Sequence, residues 1–174
     1  MIKKILLVVF SLIIVSYIYI KEKSYDYTII VNYAIPSSKD RFFVYEGDTL
    51  LFSCKVAHGS GKGSTSENPV FSNIPNSLCS SLGTYITYKN VPKCIYNKPA
   101  IGLIGLSCTN FNAPIRGLLI HGGLRNYKGL IPVNSKISAG CLTIPTNRLK
   151  QLMNLKGTIK VITKYEKTPD DSYL

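Results

Sequence analysis

The sequence predicts a mainly β domain carrying one or two short helices, set behind an N-terminal apolar helix. Three observations carry that prediction. β-branched and aromatic residues dominate five separate runs, only one later segment has helical spacing, and the chain opens on an apolar stretch unbroken by charge.

The opening stretch comes first. A short basic start, Met1 to Lys4, leads into ILLVVFSLIIVSYIYI (Ile5 to Ile20), which ends at Lys21, Glu22 and Lys23. Apolar on every face, it reads as an export signal and not as an amphipathic helix of a soluble core. Tyr17 and Tyr19 suit an interfacial aromatic belt, and the bulky Ile and Tyr around Ser16 make a poor small-x-small cleavage site. The expectation is an uncleaved membrane anchor, or a secreted chain where cleavage does occur. The domain plan is therefore 1–23 as signal or anchor, 24–168 as one globular domain and 169–174 as a polar tail.

The five β-rich runs are Tyr27 to Tyr33, Arg41 to His58, Thr84 to Lys89, Ile115 to His121 and Gly157 to Tyr165. Gly47 and Asp48 divide the second into a hairpin. Gly, Ser, Asn and Pro crowd residues 59–81, which predicts a long loop. The helical segment is TNRLKQLMNL (Thr146 to Leu155), started by Pro145 and Thr146, with Leu149, Leu152 and Met153 on one face and Gly157 ending it.

Charge and cysteine content narrow the function classes. The 174 residues hold 21 Lys and Arg against 9 Asp and Glu, a net charge of +12. Such a balance favours anionic surroundings, but the lysines are scattered, and neither a zinc-finger spacing nor an aromatic RNA-binding motif is present. Nucleic acid is excluded as a partner, and the charge reads as solvated surface. The 5 cysteines form an odd set. In an exported chain, at least one disulfide is expected among Cys54, Cys79, Cys94 and Cys108, with Cys141 left out because small residues bare its turn. C-x-x-C spacing is missing, so no metal site is expected.

Two short motifs carry chemistry. His121 closes an apolar run and is followed by Gly122 and Gly123, and Cys141 follows Ser138, Ala139 and Gly140. A thiol needs a base to become a nucleophile, and His121 is the nearby candidate in sequence. The imidazole needs a partner for its other nitrogen, which Asn126, Asn134 or the Gly122 carbonyl could supply. Gly140 permits an unusual backbone angle that turns N–H groups toward a bound carbonyl oxygen.

H-G-G followed at a distance by S-A-G-C resembles the H…S-x-G-C signature of the L,D-transpeptidase (YkuD-type) catalytic domain. AHGSGKG (Ala57 to Gly63) and VFSNIPNSLCSSLGTY (Val70 to Tyr85) resemble a branch of that family with HGSG, FSN and SSLG-Y blocks in this order. The resemblance spans about His58 to Ile144. It implies a β-sandwich or barrel, no metal or organic cofactor, and peptidoglycan stem peptides as substrate in an extracytoplasmic compartment. By the same resemblance Cys141 is the nucleophile, His121 the general base and Gly122 the carbonyl that orients it. Gly140 and Cys141 supply oxyanion N–H groups, Ser138 shapes the turn and His58 gives substrate positioning or a supporting hydrogen bond. Arg116, five residues before His121, is a candidate for a carboxylate contact or a structural ion pair, and strand parity sets it on the face opposite His121. The chain departs from the family pattern at Thr143, where many members have Arg or Asn, and at Ala139, where many have His.

Overall fold

The computed structural model of the chain describes residues 25–65, 67–95, 98–123 and 138–167. The apolar run Ile5 to Ile20, Asn126 and Asn134, the tail 169–174 and the side chain of Cys94 lie outside them. Among the described residues, no helix is long and apolar enough to cross a membrane.

Among the described residues, eight strands form one sheet. They are β1 (Tyr27–Asn32), β2 (Phe42–Glu46), β3 (Thr49–Cys54), β4 (Gly83–Ile95), β5 (Lys98–Gly105), β6 (Leu119–Gly122), β7 (Leu142–Ile144) and β8 (Ile159–Lys164), and one helix, α1 (Thr146–Asn154), lies between β7 and β8. The order across the sheet is β3-β2-β1-β8-β4-β5-β6-β7. β1 pairs with β8, and β6 with β7, in parallel; the other neighbours are antiparallel.

Alternation along the strands explains the core. β8 buries Ile159, Val161 and Thr163 and turns the residues between them outward. Ile29 and Val31 of β1, Phe42 and Val44 of β2, Tyr85, Leu103 and Ile120 meet them inside. α1 starts after Pro145, whose fixed φ suits a helix entrance, and buries Leu149 and Leu152.

The two ends of the sheet order come back together. The chain that leaves β3 bridges β7, with Ala57 opposite Thr143 and Gly59 opposite Ser138. The bonds are Ala57 N–H to the Thr143 carbonyl at 2.9 Å and Ser60 N–H to the Ser138 carbonyl at 2.9 Å. An open sheet thereby curls toward a barrel, and the segment after β3 is laid against the Cys141 turn.

The hairpin at Gly47, the first and last strands and the helix lie where the sequence predicts them. Two strands go unpredicted. β5 contains Pro99 and two glycines, which dilute its pattern, and β7 has only 3 residues. One run is corrected: Ile115 to Leu118 is a turn and not a strand. Arg116 N–H bonds the Asn112 carbonyl, Gly117 N–H that of Pro114 and Leu118 N–H that of Ala113, with Gly117 at φ +62. Arg116 therefore does not share a strand with His121, and parity does not decide where it points.

The expected disulfide is also corrected. Among the described residues, Cys54, Cys79 and Cys108 carry thiols and no bridge. Cys54 ends β3 in the core, Cys79 is buried beside Gly61, and Cys108 is exposed in the turn before β6. Burial pushes the Cys54 thiol up to about 12.

Candidate active site

β6 and β7 run in parallel with His121 beside Thr143. Cys141 immediately precedes β7, and alternation along an extended chain gives it the same side as Thr143 and His121. The tautomer of His121 follows from its contacts. Nδ1 lies 3.0 Å from the Gly122 carbonyl, which can only accept, so Nδ1 carries the proton and Nε2 presents its lone pair. Thr143 Oγ1 lies 3.1 Å from that Nε2. Burial lowers the pKa of His121 below its ordinary value, partly offset by the Gly122 carbonyl, so the neutral ring is favoured.

The Cys141 turn is held from within. Ser138 Oγ donates to the Cys141 carbonyl at 2.6 Å and accepts from Gly140 N–H at 3.0 Å. Ser138 shapes the turn as expected of it, but it also takes the Gly140 amide that was expected to face a bound carbonyl oxygen. Gly140 itself sits at φ +108, where an added Cβ would overlap the Cys79 carbonyl oxygen. The Cys141 thiol lies 3.7 Å from the Gly117 carbonyl. At 8 % exposure the residue is buried, not the exposed thiol that its small neighbours suggest, because the chain after β3 crosses the turn.

One hydroxyl joins the sequence blocks. Ser80 Oγ accepts from Gly59 N–H at 2.9 Å and donates to the Gly140 carbonyl at 3.3 Å, so the HGSG, SSLG-Y and SAGC segments meet there. Gly59 is required by the approach: a Cβ on it would overlap the backbone at Leu78 to Ser80. Ser72 N–H bonds the Ser80 carbonyl at 3.0 Å, and Asn73 accepts two bonds from Asn112, which ties in the FSN block.

Arg116 stands behind this junction. Its guanidinium donates to the Ser72 carbonyl at 2.7 Å, to Ser81 Oγ and Ser77 Oγ at 3.3 Å each, and to the Cys79 carbonyl. Every one of these partners is a carbonyl or a hydroxyl, and the one ion pair among the described residues joins Lys164 to Glu166. Arg116 thus works as a fork that gathers backbone and not as half of an ion pair. Burial pulls its pKa down, while Tyr85, Cys79 and Cys141 pull it up.

His58 and Arg41 form a second buried cluster. Arg41 Nη2 lies 2.9 Å from His58 Nδ1 and 2.7 Å from the Val56 carbonyl, and its Nε also reaches Val56 at 3.0 Å. A guanidinium can only donate, so Nδ1 accepts and Nε2–H donates to the Thr65 carbonyl at 2.9 Å. Both ring nitrogens of His58 are engaged by the protein itself. Tyr33 packs against this pair, with the Arg41 guanidinium 5.1 Å from its ring centre. Burial pushes the Tyr33 phenol up to about 12. Ser80 acts against that rise from beside the hydroxyl.

Sequence reasoning passed over Ser80, Arg41 and Tyr33 and took Thr143 only as a departure. Ser80 lies inside a quoted block and was within reach. Arg41 opens a β-rich run, and nothing local marks it as wholly buried. Among the described residues, no group of three or more His, Cys, Asp or Glu is placed to hold a metal ion.

In fold the chain is similar to the helical cell shape determining protein Pgp2 from Campylobacter jejuni. One crystal structure of Pgp2 has 18% identity and a TM-score of 0.54, covering 83% of this chain and 50% of that chain. That of a single-substitution variant has 16% identity and a TM-score of 0.56, covering 84% and 49%. The chain thus spans about half the length of the Pgp2 chains it matches. No curated protein matches it in sequence. The L,D-transpeptidase catalytic domain matches residues 2–165, nearly the whole chain, and the chain belongs to that family.

Proposed function

We propose that the chain is a cysteine acyltransferase of peptidoglycan stem peptides, an L,D-transpeptidase working through a thioester. One observation carries the reading: the Gly122 carbonyl takes the Nδ1 proton of His121 and leaves Nε2 as the acceptor, on the strand paired with the one that follows Cys141.

The Cys141 S–H bond breaks, its proton goes to His121 Nε2, and the sulfur attacks the carbonyl carbon of the third stem residue. The C–N bond breaks as the imidazolium returns the proton to the departing D-amino acid, leaving a thioester. An amine of a neighbouring stem then attacks, gives its proton to Nε2 and releases the thiolate, which is reprotonated. With water as the acceptor the same site is an L,D-carboxypeptidase.

The family resemblance gives oxyanion stabilisation to the backbone amides of this turn, that of Cys141 among them. Ser80 draws the Gly140 carbonyl one way, and a trans peptide sends the Cys141 N–H the other. His58 gives a supporting bond within the wall of the site. The apolar run Ile5 to Ile20 would hold the domain on the outer side of the membrane, or direct its secretion, where the wall polymer is met.

The test incubates the full chain with purified peptidoglycan fragments and reads products by mass. Expected are an adduct on Cys141, its loss in Cys141→Ala and His121→Ala, and joined stems. Shortened stems without joined ones select the carboxypeptidase. A non-catalytic wall-binding module is the answer if neither product nor adduct forms while the fragments still bind. Full activity in both variants removes these residues from the mechanism.

A further inference from the structure

Thr143 is fully buried and held on two sides. β7 pairs it with His121 of β6, and its carbonyl accepts the Ala57 N–H at 2.9 Å. A β-branched side chain on a strand has few rotamers, so the hydroxyl stays beside His121, and it yields the Nε2 lone pair when Cys141 delivers its proton. It lies 3.1 Å from Nε2, the nitrogen that the proposed reaction uses.

A hydroxyl is both donor and acceptor, and that distinguishes it from the carbonyl on the other side of the ring. With the imidazole neutral, Gly122 takes the Nδ1 proton, and the Thr143 hydroxyl donates to the bare Nε2. Once Nε2 holds a proton, the Thr143 O–H turns and its oxygen accepts from Nε2–H. The ring keeps two partners in its plane in both charge states. The bond to the charged ring is the stronger of the two, so the hydroxyl on balance favours the imidazolium.

We propose that Thr143 is a positioning residue for His121, holding the base through both of its protonation states and keeping the imidazolium accessible inside a buried site. The inference rests on the acyl-transfer reading for its purpose but not for its test. β5 sets Ala100 beside His121, and β7 sets Thr143 there with Cys141 two residues before it. Burial lowers the pKa of the ring and the Gly122 carbonyl raises it, and no charged side chain of the described residues adds to either.

The experiment follows the full chain by NMR titration of the His121 ring nitrogens and by the rate at which iodoacetamide alkylates Cys141 across pH. Thr143→Val keeps the branched shape and removes the hydroxyl. It is expected to lower the His121 pKa and to slow alkylation at neutral pH about tenfold, with Thr143→Ser within roughly twofold of the parent. An unchanged titration and alkylation profile in a folded Val variant overturns the inference, as does a Ser variant that behaves like Val. Should Val fail to fold, the parent still decides: a neutral His121 with its proton on Nε2 excludes the arrangement. Neither readout uses a stem peptide. If the Val effect appears while the chain fails to act on peptidoglycan fragments, the acyl-transfer reading falls and this one stands.

Discussion

Arg41 Nη2 and His58 Nδ1 lie 2.9 Å apart in the interior, a cation resting on a neutral imidazole. The guanidinium has no exposure and is held by the Val56 and Ile35 carbonyls and the His58 ring. Arg41→Ala leaves those acceptors unpaired and opens a cavity. The expected loss is about 3 kcal/mol, read as a lower urea midpoint. A midpoint equal to that of the parent means the cluster adds nothing to stability.

His121 gives a stability dependence with a definite sign. Its folded pKa lies below the ordinary 6.5, so between the two values the unfolded chain binds more protons. The contribution is present above 6.5 and is lost as pH falls through the folded value. His121→Gln is expected to flatten that part of the curve of unfolding free energy against pH. An identical slope in both proteins assigns the dependence to another group. For the same reason, the acid limb of the acyl-transfer rate is expected below the pH at which an exposed imidazole titrates.

Gly140→Ala tests the turn. The positive φ and the crowding by the Cys79 carbonyl require backbone movement on adding a methyl group. The expectation is a fall of at least tenfold in adduct formation at Cys141, beyond any loss of folded protein measured by circular dichroism. Wild-type rates in Gly140→Ala would show that the turn geometry does not matter to the reaction.

The thiols are expected to divide by exposure. Cys108 reacts promptly with a thiol reagent in the native protein, whereas Cys54, buried and pushed up to about 12, reacts only on unfolding. Peptide mapping after brief and exhaustive labelling reads this directly. Native labelling of Cys54 at the rate of Cys108 contradicts the core placement of β3's last residue.

Much of the fold was legible because its signals are local. The Gly47 hairpin, the alternation in β1 and β8 and the spacing of Leu149 and Leu152 depend on residues a few positions apart. β7 was not, since 3 residues hold no period and exist as a strand only because β6 pairs with them. Ile115 to Leu118 has strand-forming composition yet turns, because Pro114 and the Asn112 and Ala113 carbonyls capture it.

From the order of residues alone came the chemical types: a cysteine after glycine, a histidine before a carbonyl that can orient it, and three short motif blocks. Tertiary structure alone decided that Ser80 joins those blocks, that Arg116 binds carbonyls and hydroxyls, and that Thr143 meets the base nitrogen. Thr143 depends on strand register, Ser80 on the closure of β7 against the chain after β3, and Arg116 on a turn set against the loop from Ser72 to Ser81. Those are relations between residues far apart in the chain, and hydrogen-bond partners at that distance have no local pattern to announce them.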